Sequence, residues 1–221
     1  MSRRLLALAV LAAFATQSST GAESKTLALP APRKEGRVSV EAALSARRSI
    51  RAYAKQALTL EEVGQLLWAA QGVTGPDGKR SAPSARRRYP LEVAVVAQDV
   101  DGLQAGAYRY LPASHSLERL AEPSGGRPLL ADAASQAPIQ GAPAVFAIAA
   151  VYERMGAGPR DRTWTDFEAG LAGENLLLQA VALGLGAVVV GGVDAAAVKA
   201  AVKFTGSEQV IVVIPVGHPA R

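Results

Sequence analysis

Residues 165–194 read TDFEAGLAGENLLLQAVALGLGAVVVGGVD, and the fold turns on how they are read. Phe167, Leu171, Leu178 and the Val181/Ala182 pair recur at helical spacing and predict a long buried helix. Ala169, Gly170, Ala172 and Gly173 leave one of its sides thin enough for close packing. Gly184 stops the helix. Ala187–Val190 is short and β-branched, as a fully buried strand is, and Gly191-Gly192 then strips the next turn of side chains. Bare amides there can face a planar ligand. The same residues also suit a core helix and strand joined by ordinary turn glycines, and this segment alone does not separate the two.

Composition narrows the field. A chain of 221 residues that is 49% hydrophobic, with mean hydropathy +0.14, can bury the core of one domain and does not have a disordered composition. Cysteine is absent and the only histidines are His115 and His218, which removes thiol catalysis and disulfide frameworks and leaves no usual zinc ligand set. No metal is expected, and any redox chemistry must come from a bound cofactor.

Arg3 and Arg4 precede an apolar run from Leu5 to Ala15, and Thr16–Ala22 turns small and polar, the pattern of an export signal over residues 1–22. Cleavage fits after Ala15 or after Ala22. The apolar run is too short to span a bilayer, so no stable membrane anchor is expected. Ser2-Arg3-Arg4-Leu5-Leu6 resembles the core of a twin-arginine signal and equally suits an ordinary secretory one; both imply an exported, periplasmic protein. Losing Arg3 and Arg4, and no acid, takes the formal charge from +5 to +3. The remaining cations cluster at Arg47-Arg48 with Arg51, at Lys79-Arg80 and at Arg86-Arg87-Arg88, which implies an anionic partner. Aromatic residues are only 5% of the chain and no helix-turn-helix, zinc or RNP-type pattern accompanies the arginines. A small phosphorylated ligand fits them better than nucleic acid.

Residues 23–37 lack periodicity and read as a flexible arm, with the ordered domain over 38–221. Val40, Ala43 and Leu44 mark a short amphipathic helix that delivers Arg47-Arg48-Ser49-Ile50-Arg51 at its end. Three guanidiniums and a hydroxyl can cradle phosphate oxygens, or form a solvated basic turn. Thr59 and Glu62 form a capping box for a helix buried through Leu60, Val63, Leu66, Leu67 and Ala70, with Trp68 expected in the core. Strands are expected at 91–96, 107–110, 116–120, 144–151 and 209–216, and helices at 128–135 and 195–202. Hairpin-like strands mixed with helices give an α+β fold. No dinucleotide fingerprint, P-loop or nucleophile elbow is present. Asp166, Glu168 and Glu174 share one helix at spacings that make no acid/base pair, and are expected to cap, pair or face solvent.

Taken together the residues resemble the flavin-dependent nitroreductase superfamily, and within it the SagB-type dehydrogenase branch, over most of 43–219. The resemblance is carried by Arg47-Arg48-Ser49-Ile50-Arg51, Leu66-Leu67-Trp68-Ala69-Ala70-Gln71-Gly72, Pro83-Ser84-Ala85 with Tyr89-Pro90-Leu91-Glu92, and Gly106-Ala107-Tyr108-Arg109-Tyr110. It continues through Ala142-Pro143-Ala144-Val145, Glu168-Ala169-Gly170, Asn175 to Ala180, Gly184-Leu185-Gly186, Gly191 and Ile214-Pro215-Val216-Gly217. Each motif is weak alone; their order and spacing are specific. The resemblance implies a nitroreductase-like fold, a central, mainly antiparallel sheet flanked by helices, in a homodimer that holds FMN in a shared cleft. Arg47, Ser49, and Arg48 or Arg51 would bind the phosphate. Pro83, Ser84 and Ala85 would lie against the flavin ring, from the partner subunit, and Gly191 and Gly192 would offer amides near its reactive edge. No side chain need act as nucleophile: catalysis would be ping-pong hydride or electron transfer to or from a small organic substrate, with NAD(P)H as a candidate donor that export makes scarce.

Two features depart from the branch. Arg86-Arg87-Arg88 replaces a Gly-Ala-Leu run, which would narrow the site, select an anionic substrate or mark lost flavin binding. Relatives often continue past Gly217-His218-Pro219 with basic residues for the phosphate, a role Arg221 would take here. No Lys-x-Tyr pair of azole-forming oxidases aligns, so generic reductase activity is favoured. The alternatives are a non-catalytic exported binding or scaffold protein of degenerate nitroreductase fold, and an anion- or nucleic-acid-binding protein.

Overall fold

The computed structural model describes residues 26–125 and 127–220. The expected export signal and Arg221 lie outside the described residues. In chain order the strands are β1 (Thr26–Ala28), β2 (Leu58–Thr59), β3 (Leu91–Ala97), β4 (Val100–Asp101), β5 (Gly106–Leu111), β6 (Ser116–Ala121), β7 (Ala144–Ala150), β8 (Gly186–Ala187) and β9 (Gln209–Gly217). The helices are α1 (Val40–Ala46), α2 (Leu60–Gln71), α3 (Ala137–Gly141), α4 (Tyr152–Met155), α5 (Asp161–Ala182) and α6 (Ala195–Val202). Seven strands form one antiparallel sheet in the order β1-β6-β5-β3-β7-β9-β8, and β2 and β4 pair in parallel beside it.

Two central strands show why the sheet is covered on both faces. Leu91, Val93, Val95 and Ala97 of β3 join Ala144, Phe146, Ile148 and Ala150 of β7 on the face that meets α2 and α5. The alternate residues Ala94 and Val96, with Val145, Ala147 and Ala149, point to the other face, where Val198 and Val202 of α6 pack. The side-chain period of two in a strand makes these near-continuous apolar runs two-sided. α2 begins with the expected box: Thr59 Oγ1 accepts from the Glu62 amide at 3.2 Å, and Glu62 Oε2 accepts from the Thr59 amide at 2.8 Å.

The long helix forms as expected, and the small-residue side packs closely at Ala169, Ala172 and Gly173, but the large apolar residues expected in its core face are not the ones it buries. Ala169, Ala172, Gly173, Leu176, Leu177 and Ala180 meet the sheet, whereas Phe167 is 58% exposed and Leu171 and Leu178 are only partly buried. The small residues win because α5 lies directly over β7 and β9: a Cβ on Gly173 would already touch Ile214 at 3.6 Å and Ile148 at 3.9 Å.

Other expectations shift locally. The expected strand at 187–190 keeps only β8 and a bridge from Val190 to Val213. Residues 129–133 turn without forming the helix expected at 128–135, and α3 follows instead, with Pro138 in its first turn. Trp68 is partly exposed on the wall of a groove of about 950 Å³ and donates to Val73 O at 3.3 Å. Inside the stretch expected to be a flexible arm, β1 pairs with β6, Leu29 is buried, and Gln65 takes the Arg33 amide at 2.8 Å. Backbone pairing and a buried glutamine order a segment that has no periodicity of its own. Among the described residues no helix is long and apolar enough to cross a membrane.

Candidate functional site

Beyond α1, residues 47–53 run along the edge of the sheet. The Ile50 amide donates to Ala187 O at 3.0 Å, Ser49 pairs with Ala187, and Tyr53 pairs with Pro219. The Ala220 amide then donates to Ala52 O at 3.0 Å, which brings the end of the described chain beside Arg51. Two glycines that face each other across β8 and β9 admit this segment. A Cβ on Gly186 would lie 2.6 Å from Ile50 Cγ2, and one on Gly217 would lie 2.7 Å from Pro143 Cδ and 3.0 Å from the Tyr53 ring. The Tyr53 hydroxyl sits 2.9 Å from Ile50 O and 3.0 Å from Pro215 O, and burial pushes its phenol up, so its one hydrogen stays in place to be shared between the two carbonyls that flank the seam.

Against this segment lies a cleft of about 230 Å³, walled by Arg47, Arg48, Ile50, Leu185, Ala187 and Pro219. Arg47 is half-buried and only loosely met by Glu174, Nε to Oε1 at 3.9 Å. Arg48 is folded back on its own helix end, donating to Ser45 O at 2.9 Å and Arg47 O at 2.7 Å. Ser49 and Arg51 are exposed. Gly191 lies four residues past Ala187, within about 14 Å even for a fully extended chain. Gly191 and Gly192 are exposed, and a Cβ on either would meet nothing within 4 Å, so packing within the chain does not require glycine there.

Pro83, Ser84 and Ala85 are held elsewhere. The Ala85 amide donates to Glu168 Oε1 at 2.6 Å, and the Tyr89 amide donates to Ser84 Oγ at 2.8 Å. The backbone between them is unusual: Arg86, Arg87 and Tyr89 have φ of 56°, 55° and 46°. Arg86 donates to Asp161 at 2.6 Å and to Met155 O at 2.9 Å, and Arg87 donates to Asp77 O at 2.6 Å. Arg80 stacks 4.4 Å over the Tyr89 ring. Leu177, on the wall of the arginine cleft, is nine residues beyond Glu168 on α5, about 14 Å along its axis. One chain therefore gathers Arg47, Arg48 and Ser49 with the tail end and the approach to Gly191-Gly192, and keeps Pro83-Ser84-Ala85 apart from them.

The acidic residues of α5 divide. Asp166 accepts from the Tyr152 hydroxyl and Glu174 faces Arg47, as capping and pairing groups would. Glu168 does not fit that reading. It is 4% exposed, burial pushes its carboxyl up, and the Ala85 amide and Ser84 hydroxyl pull it back down. The available signal was its place on the buried stripe with Thr165, Ala169, Ala172 and Leu176. Among the described residues no group of three His, Cys, Asp or Glu side chains is placed to hold a metal.

This architecture has close counterparts. A protein of Methanocaldococcus jannaschii named as a nitroreductase is 38% identical over 183 residues, covering 82% of this chain and 91% of its own. A nitroreductase homologue from Ralstonia eutropha superposes with TM-score 0.76 at 29% identity, over 91% of this chain and 92% of that one. A Desulfovibrio desulfuricans homologue solved in complex with FMN superposes with TM-score 0.59 at 25% identity, over 82% and 87% of the two chains. The nitroreductase family profile matches residues 44–218, from the last turn of α1 to just past the end of β9 with the arginine segment between them, and the chain belongs to that family.

Proposed function

We propose that this nitroreductase-family oxidoreductase binds FMN at the seam between residues 47–51 and 187–192, and works as a homodimer on a small organic substrate. The observation that carries the proposal is the pairing of Ser49 with Ala187, which joins an arginine-lined cleft to two glycines that the chain's own packing does not need. The donor set suits a phosphate ester bearing a planar ring. Arg47 is open to a second anion, Ser49 and Arg51 are exposed, and the Gly191-Gly192 backbone is bare. Arg48 fits less well, because its guanidinium is already engaged by two carbonyls.

Bound FMN would supply a two-electron carrier that takes electrons from a donor and passes them to an acceptor in turn. The protein's part is binding and exclusion. Arg47 and Ser49 would hold the phosphate end and the Gly191-Gly192 amides would offer donors to the ring, while apolar Ile50 and Leu185 wall the cleft. Arg86 and Arg87 are drawn toward Asp161 and Asp77, so their bulk is held by the protein and does not argue for a lost flavin site.

Dimerisation supplies what one chain keeps apart. Val40 and Leu44 of α1 are 65% and 54% exposed, and Trp164 and Phe167 stand exposed on α5. A second copy covering these faces would bring its Pro83-Ser84-Ala85 to this chain's cleft. Membership of the SagB-type branch, export through residues 1–22 to the periplasm, and NAD(P)H as donor belong to the same proposal.

The test is the absorption spectrum of the purified mature protein, with released flavin identified after denaturation and FMN titrated into colourless preparations. Bound FMN, reduced by NADH or NADPH and reoxidised by a nitroaromatic acceptor, is the expected result. No flavin and no FMN binding would refute the reading in favour of a non-catalytic protein on this fold. Cell fractionation tests export.

A further inference from the structure

We propose that Glu168 is a positioning residue: from inside α5, its carboxylate fixes the backbone of Ser84 and Ala85 in the conformation that meets the flavin ring. The proposal rests on the flavin reading above.

Glu168 and Glu208 are the buried carboxylates among the described residues. Glu208 is accounted for by Arg109 and by the Thr205 amide. Among the described residues no lysine or arginine lies within ion-pair distance of Glu168, and a buried carboxylate without a cation is costly unless hydrogen-bond donors surround it. Its bonded donor comes from one turn. The Ala85 amide reaches it at 2.6 Å, and the neighbouring Ser84 hydroxyl, whose oxygen accepts from the Tyr89 amide at 2.8 Å, favours its charged form. The first bond ties the turn to α5 and the second closes the turn on itself across the left-handed backbone of Arg86, Arg87 and Tyr89. Such backbone persists only where its surroundings over-determine it. Arg86 supplies a second clamp through Asp161, at the N-terminal end of the same helix, and through Met155 O at the end of α4.

The stripe on which Glu168 sits is otherwise small or apolar, so a leucine would serve α5 packing as well. What the carboxylate adds is an acceptor for a turn that local sequence does not favour.

The experiment compares Glu168→Leu, Glu168→Gln and Ser84→Ala in the full mature protein. The readouts are FMN and riboflavin titration, visible circular dichroism of the bound flavin, and Ala85 amide exchange without flavin. Glu168→Leu is expected to lose about tenfold in affinity for both flavins alike, since the turn meets the ring and not the phosphate, to change the dichroism, and to exchange Ala85 faster. Glu168→Gln, which keeps an acceptor for the Ala85 amide, is expected to recover most of the affinity. Should Glu168→Leu fail to fold, Ser84→Ala takes away the neighbouring hydroxyl that helps hold the carboxylate, and faster Ala85 amide exchange without flavin, a readout that direct contact of Ser84 with the ring would not move, decides the matter. Wild-type affinity and dichroism in the folded variants would overturn the role of Glu168 while leaving the flavin site standing. Wild-type protein that binds no FMN would overturn the flavin reading itself, and the positioning role with it.

Discussion

Replacing Gly186 by alanine tests how the arginine segment is seated. The new Cβ would lie 2.6 Å from Ile50 Cγ2, 2.7 Å from Ile50 Cβ and 3.1 Å from Cγ1, where carbon atoms attract at roughly 3.5–4.0 Å. Ile50 Cβ is bonded directly to the backbone, so no rotamer clears it and residues 49–51 must move by about 1 Å. Overpacking of this kind costs about 1–3 kcal/mol. Displacing the segment also weakens the bond from the Ile50 amide to Ala187 O, worth about 0.5–1.5 kcal/mol. Removing glycine returns about 0.4–1 kcal/mol through the unfolded chain, since Gly186 lies outside the left-handed region. The net expectation, about 1–3.5 kcal/mol, is read from urea unfolding as a lower midpoint at unchanged slope. A double-mutant cycle sharpens it. Ile50→Gly removes the opposing Cβ, so Gly186→Ala made in that background is expected to cost at least about 1 kcal/mol less than in wild type. Ile50→Ala, which keeps the atom at 2.7 Å, is expected to relieve only part. Costs that simply add, or a Gly186→Ala protein as stable as wild type, would refute the close approach as the reason for glycine at this position.

Arg47→Ala combined with Ser49→Ala is expected to weaken FMN retention at least tenfold without unfolding the protein, and Arg48→Ala to do much less, because Arg48 is spent on backbone carbonyls; equal losses in dialysis-retention measurements would contradict the division of labour. Phe167→Glu with Leu44→Glu places charge on the two exposed apolar faces and is expected to convert a dimer to monomer in sedimentation, whereas an unchanged mass would move the interface elsewhere. His115 gives a pH signature. Its Nδ1 lies 2.8 Å from the Tyr110 hydroxyl and its Nε2 lies 2.9 Å from Pro30 O, and burial holds its pKa below the usual value of about 6.5, against the raising effect of that carbonyl. The unfolded chain therefore takes up the proton first as pH falls, so the stability His115 contributes is complete above about pH 6.5 and is lost on acidification toward its folded pKa. Urea midpoints compared with those of His115→Ala should diverge most above pH 6.5; parallel profiles down to pH 5 would remove His115 from the acid response.

Much of the fold was legible because it follows from local rules. The apolar runs at 91–96, 144–151 and 209–216 read as strands and form within a residue of those bounds, Thr59 and Glu62 announced α2, and the helix read at 195–202 is α6. The arginine segment was legible as a candidate anion site from residue type alone, and Gly186 and Gly217 were already among the motifs of the resemblance. The buried face of α5 was not. Hydropathy assigns Phe167, Leu171 and Leu178 to a core, yet the face that meets the sheet carries Ala169, Ala172, Gly173 and Ala180 beside Leu176 and Leu177, and the clearance at Gly173 is set by strands distant in sequence.

The amino-acid sequence by itself thus determined the central strands and the helices α1, α2, α5 and α6, the family and the residue types at the arginine cleft, since periodicity, capping and turn chemistry act within a few residues. Tertiary structure alone decided two things. It set Ser49 beside Ala187, and it brought a carboxylate from the middle of α5 beneath the amide of Ala85, 83 residues earlier in the chain. Each depends on which distant segments arrive next to one another after the sheet has closed, and spacing along the chain does not encode that.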